Sequence, residues 1–295
     1  MQRLLKNLIL TLCLLMMTEG LAHPTGNMVR SGDYVLWSYV NPVDDDQHHA
    51  CIMIWKPGIQ PSVLITSEYP ASDFMLSAQG EDIYIIERRF IESSNGFEIR
   101  ILKTQPEGLP TEIWPWMKDH WRIGEGGFFM LSEDQVVFGR YPDIYSLHKG
   151  KTPIKYFEFT EPVKRIRNLE KDRLLLLGDN SCWLTDHQGT ILETWKNITK
   201  KEVSNAPLDR NQVFDADLQN DELLLAYWGN RSFITIENGA QREILKLDGN
   251  FVPHWVSFYD DMKLLFASEM FMEGQNPQPK LILYQTDEYS EIIWE

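Results

Sequence analysis

Short apolar runs recur along the chain, and a tight polar turn introduces each one. The runs are Tyr34 to Trp37, Ile83 to Ile86, Val136 to Phe138, Leu174 to Leu177, Leu223 to Leu225 and Leu264 to Phe266. The turns before them are Gly32-Asp33, Gly80-Glu81-Asp82, Glu133-Asp134, Lys171-Asp172, Asn220-Asp221 and Asp260-Asp261. Asp suits such turns because its carboxylate accepts hydrogen bonds from nearby backbone N–H groups. The runs are apolar on both faces, as strands buried between two neighbours must be. The second acidic residue of each turn falls at 33, 82, 134, 172, 221 and 261, so a unit repeats every 38 to 52 residues. That is the room a four-stranded propeller blade needs. A second echo closes three of the units: Ile113-Trp114, Thr194-Trp195 and Ile293-Trp294, after Glu112, Glu193 and Glu291. Outside the N-terminus no long stretch has apolar residues at helical spacing. The pattern predicts an all-β chain folded as a β-propeller of six four-stranded blades. A seven-bladed ring and a β-sandwich are the alternatives.

Residues 1–22 read as a signal peptide. Arg3 and Lys6 precede an apolar stretch from Leu8 to Met17, and Gly20-Leu21-Ala22 offers a small-residue cleavage site. The apolar run is too short to cross about 30 Å of hydrocarbon. Residues 23–295 then form a single propeller domain, exported to the periplasm or outside the cell, with no membrane span after cleavage and monomeric. Cys51 and Cys182 remain in the mature chain. They lie in units one and four, across the ring, so the expectation is two buried free thiols. The 10 Trp, 11 Tyr and 14 Phe suit the widening gaps between twisted sheets. The net charge of −15, with Lys and Arg unclustered, excludes tight nucleic-acid binding, which needs a basic footprint. It also disfavours an anionic membrane surface.

Four places carry residues with chemistry. The first hairpin contains Asp44, Asp45, Asp46, His48 and His49, which are potential cation ligands or a solvated tip. Three glycines among Gly124-Glu125-Gly126-Gly127 predict close backbone approach or a bulge. In a propeller they would keep the channel open, with Glu125 facing the channel or the core. Asp215 and Asp217 alternate, so both carboxylates point to one side of a strand, as an acid/base pair, half a metal site or a solvated wall would. His254 opens the inner strand of unit six. Trp55, Trp116, Trp121, Trp228 and Trp255 are candidates for ligand contact, of which Trp121 and Trp255 are retained. Asn197-Ile198-Thr199 and Asn230-Arg231-Ser232 fit the glycosylation pattern.

In its acid-then-apolar turns and Trp closers, the mature chain resembles the secreted six-bladed propellers of the TolB-like and NHL-like kind. Families of that shape include periplasmic protein-binding modules. They also include calcium-dependent lactone hydrolases resembling gluconolactonase, which hold a metal in the central channel. That resemblance would put Glu125, Asp215 and Asp217 at comparable channel positions.

Two functions follow. The first is a non-catalytic exported binding module that presents the long hairpins of units one, two and six on one face to an exported protein or a glycan. No Gly-x-Ser-x-Gly elbow, His-Glu-x-x-His or Cys-His spacing is present. No cofactor is required by this reading. The alternative is a metal-dependent hydrolase or lyase at the channel mouth, with a divalent cation such as calcium held by Glu125, Asp215 and Asp217, and with His254 beside them.

Overall fold

The computed structural model describes residues 26–40, 49–170, 172–199, 212–270 and 278–295. The leader segment and Asp44, Asp45, Asp46 and His48 lie outside these residues. The chain forms six antiparallel sheets of four strands each, taken in sequence order. The innermost strands are Met28–Ser31, Ser72–Gln79, Phe128–Ser132, Arg165–Leu169, Val213–Gln219 and Phe251–Tyr259. They stand side by side around a central channel, and the sheets radiate from them as blades one to six. This is a six-bladed β-propeller.

The recurring turns are the hairpins between the first and second strands. Pairing of Ser31 with Tyr34, Gln219 with Glu222 and Tyr259 with Met262 leaves two-residue loops at Gly32-Asp33, Asn220-Asp221 and Asp260-Asp261. Asn220 and Asp221 both adopt positive φ, at 48° and 65°. A tight hairpin with that twist requires such backbone, and Asn and Asp tolerate it.

Because the sheets are radial, both faces of every strand meet a neighbouring blade. Six buried apolar clusters fill the six seams between blades. The Trp closers sit on outermost strands and reach across these seams. Trp114 of blade two is fully buried, and its indole N–H donates to the Glu133 carbonyl of blade three at 2.7 Å. Trp195 of blade four packs into the seam with blade five. Trp294 of blade six meets Trp37 and Tyr39 of blade one, with ring centres 5.5 and 4.9 Å apart.

Polar side chains clamp the inner strands together. Asn27 both donates to and accepts from the Leu76 backbone, at 2.7 Å each way. Gln79 does the same for Met130, at 2.8 and 2.9 Å. Each inner strand has an unpaired backbone edge toward its neighbour, and these amides satisfy part of it. Blades one and six are each complete, so no strand is shared at the closing seam. It is held by the aromatic cluster, by Arg30 to Asp260 at 2.6 Å and by the Tyr259 hydroxyl donating to the Asp33 carbonyl at 3.2 Å.

The glycine run between blades two and three is there for packing. A Cβ on Gly127 would lie 2.1 Å from the Ile166 carbonyl oxygen, and one on Gly126 would lie 2.6 Å from that of Gly139. The Gly126 carbonyl accepts from Ile166 N–H at 2.7 Å, joining blade three to blade four. Close backbone approach accounts for these residues directly, and an open channel is not their reason. Cys51 and Cys182 are both free and buried, in different seams.

Candidate functional site

Two regions gather polar and aromatic side chains: the central channel and the loop face of blades two and three. The channel encloses a cavity of about 600 Å³, and its wall includes Glu125, Arg165, Arg167, Asp215 and Asp217. Arg165 and Arg167 project from the inner strand of blade four. Asp215 and Asp217 project from that of blade five. Arg167 bonds both carboxylates, at 2.7 Å to Asp215 Oδ2 and 3.1 Å to Asp217 Oδ1. It also donates to the Val256 carbonyl of blade six at 3.0 Å. The carboxylates have further partners. Asp215 Oδ2 accepts from Val256 N–H at 3.2 Å, and Asp217 Oδ2 accepts from Phe258 N–H at 2.9 Å. One guanidinium and two carboxylates thus knit blades four, five and six together at their inner edges.

Glu125 also lines the cavity, but it is held elsewhere. Arg88 bonds it at 2.5 Å and bonds Asp73 at 2.5 Å, and Arg122 lies 3.7 Å from its other oxygen. His254 is not part of the cavity wall. The ladder bulges at this residue, between the pairs Pro253–Ala267 and Trp255–Phe266. Its imidazole turns onto Ser268 Oγ at 2.8 Å and packs against Phe214 and Trp228 of blade five. The structure therefore brings Asp215 and Asp217 together, puts Glu125 in the same channel, and places His254 in an aromatic seam. Among the described residues no three His, Cys, Asp or Glu side chains are grouped as a metal ion requires.

The second region lies where second-to-third-strand hairpins and blade-to-blade connections emerge on the same side of the ring. Arg89 is sandwiched between Tyr69 and Trp116, its guanidinium carbon 4.4 and 4.0 Å from the ring centres. Arg100 stacks on Trp116 at 4.9 Å, and Arg88 on Phe97 at 5.1 Å. Arg140 covers Trp121 at 4.8 Å. Phe97 is 40% exposed and Tyr141 60% exposed. Of the tryptophans singled out from the sequence, Trp116 and Trp121 are half-buried here. Trp55, Trp228 and Trp255 are buried in seams. His49 lies at the foot of the first hairpin, half-buried.

Two features were not anticipated from sequence. One is the arginine pair Arg165 and Arg167; the other is the stacked-arginine patch. The arginines had a visible signal. Pairing Leu169 with Arg173 and Gln219 with Glu222 puts Arg165 and Arg167 on the same rungs of blade four as Asp215 and Asp217 occupy in blade five.

No protein-family model matches the chain, and no curated protein matches it. Its shape is similar to several solved structures. The β-propeller domain of the trilobed protease from Pyrococcus furiosus shares 12% identity at a TM-score of 0.46, over 91% of this chain and 83% of that one. A chain of a nidogen/laminin complex shares 12% at 0.48, over 75% and 85%. The Saccharomyces cerevisiae protein Sqt1 shares 11% at 0.43, over 90% and 93%.

Proposed function

We propose that this chain is a non-catalytic, exported binding module that engages an exported protein or a glycan through the loop face of blades two and three. The observation that carries this reading is the interleaving of flat rings and stacked guanidiniums on that face. Tyr69, Trp116 and Trp121 are held in place by Arg89, Arg100 and Arg140. Phe97 and Tyr141 stay reachable from solvent. Aromatic side chains and arginine supply most of the energy of typical interfaces, and pre-positioned rings lose little conformational entropy on binding. A rigid ring bearing variable loops is the arrangement in which binding specificity usually resides. The leader features of Met1 to Ala22 support export, to the periplasm or beyond the cell.

The test places a photo-crosslinking benzoylphenylalanine at position 141 and, separately, at Glu81 on the opposite face, in cells that export the protein. A discrete adduct from position 141 and none from position 81 is the expected result for a protein partner. A glycan partner gives instead retention on a glycan array that Trp121→Ala abolishes. Equal adducts from both faces, or neither adduct nor retention, would overturn the reading. N-terminal sequencing of the exported chain is expected to begin at His23.

A further inference from the structure

The channel contains a cation that its protein neighbours pair only loosely. Arg165 and Arg167 occupy alternate positions on one strand, and both face Asp215. Arg167 takes both of them, together with a backbone carbonyl. The Arg165 guanidinium makes a long ion pair with Asp215 Oδ1 at 3.6 Å, and Phe214 covers its plane at 5.1 Å. Among the described residues this long ion pair is the contact its guanidinium makes with an acceptor, and it engages one edge of the fork. A guanidinium carries five N–H donors in a rigid fork. Leaving most of them without a close partner in a side chain only 19% exposed is costly. Burial lowers the Arg165 pKa, and the neighbouring Asp215 offsets this only in part.

We propose that Arg165 anchors a binding site for a small carboxylate-bearing molecule inside the channel, independent of the loop face. The fork matches the two oxygens of a planar carboxylate. The cavity of about 600 Å³ fits a ligand of metabolite or dipeptide size. The charge of the surroundings selects among anions. The wall carries Arg30, Arg165, Arg167 and Arg173 against Glu125, Glu170, Asp215 and Asp217, so its charges balance, and Arg165 stands beside Asp215. A monocarboxylate brings one negative charge. Phosphate brings about 1.5 to 2 at neutral pH, and the excess would sit against those carboxylates. Monocarboxylates are therefore favoured over phosphate.

Isothermal titration of the purified chain with N-acetylglycine, glycylglycine and inorganic phosphate, at matched ionic strength, tests this. N-acetylglycine is expected to bind. Glycylglycine distinguishes a peptide terminus from a free acid, and phosphate binds more weakly than either. Arg165→Met should weaken N-acetylglycine by about tenfold to a hundredfold, the worth of a charged hydrogen bond. Arg122→Gln, an exposed arginine outside the fork, should leave it unchanged. Equal affinity in Arg165→Met, no carboxylate binding, or phosphate binding as tightly as carboxylate would overturn the proposal. If Arg165→Met fails to fold, the wild-type chain still decides. N-acetylglycine should protect Arg165 from phenylglyoxal, mapped by peptide mass, without protecting Arg122, and absence of that protection overturns the site.

Discussion

Replacing Arg167 by Met removes one guanidinium that serves two carboxylates and a carbonyl across three blades. Its side chain is 19% exposed, and those of Asp215 and Asp217 are 3% and 13% exposed. Breaking a buried ion pair from one side typically costs about 3–5 kcal/mol, because it strands the partner charge. Here the carboxylates keep some support, from Val256 and Phe258 N–H and from Arg165 at 3.6 Å. The lower end, about 3 kcal/mol, is therefore expected. For a chain of this size that lowers the midpoint of thermal unfolding by roughly 6–12 °C. Urea unfolding followed by tryptophan fluorescence reads it without the ionic screening that guanidinium chloride would add. Changing Asp215 and Asp217 to Asn in the same chain keeps acceptors for the backbone N–H groups and removes the stranded charges. The triple variant should recover more than half of the loss. Arg167→Met within about 1 kcal/mol of wild type would refute the clamp, and so would a triple variant less stable than Arg167→Met alone.

Three further outcomes are expected. Both thiols should resist a disulfide reagent at mildly alkaline pH in the native chain and react on unfolding, since burial pushes Cys51 up to about 12 and Cys182 higher still; fast native labelling would contradict their seam positions. Burial raises the Asp119 carboxyl while Oδ1 accepts from Trp121 and Ile123 N–H. The folded state therefore holds that proton more tightly than the unfolded chain, and stability falls as pH rises through the folded pKa. Asp119→Asn removes this step, so the variant should gain on wild type as pH rises above the ordinary carboxylate value of about 4 in paired urea titrations. Calcium or chelator should leave the thermal midpoint of the wild-type chain unchanged, because guanidinium and backbone donors already occupy the channel carboxylates. A calcium-dependent rise abolished by Asp215→Asn would instead assign a metal site to the channel.

The blade rhythm was legible because each acidic turn is a local solution to a tight hairpin, and each outer-strand Trp fills a gap set by local twist. The six-bladed ring followed from those alone. Asp215 and Asp217 were legible as a pair because alternation along one strand is also local. Their chemistry was not, since their partner Arg167 lies 48 residues before Asp215 and meets it only when blades four and five are side by side. His254 misled for a different reason. A bulge, which no residue type announces, turned it out of step with its strand. The stacked arginines escaped notice because Arg89, Tyr69 and Trp116 belong to three separate segments.

Each blade is one uninterrupted stretch of chain, blades one and six included. Duplicating or deleting a single segment between two blade-to-blade connections therefore copies or removes a whole sheet, with its own turn and its own outer strand. A ring whose last blade is stitched from both ends of the chain has one blade that cannot be inherited in this way. Here every unit is equivalent as a piece of gene. The side chains bridging each seam, from the Trp294 indole to the Arg167 fork, are then where a newly copied blade must first diverge to fit its neighbours.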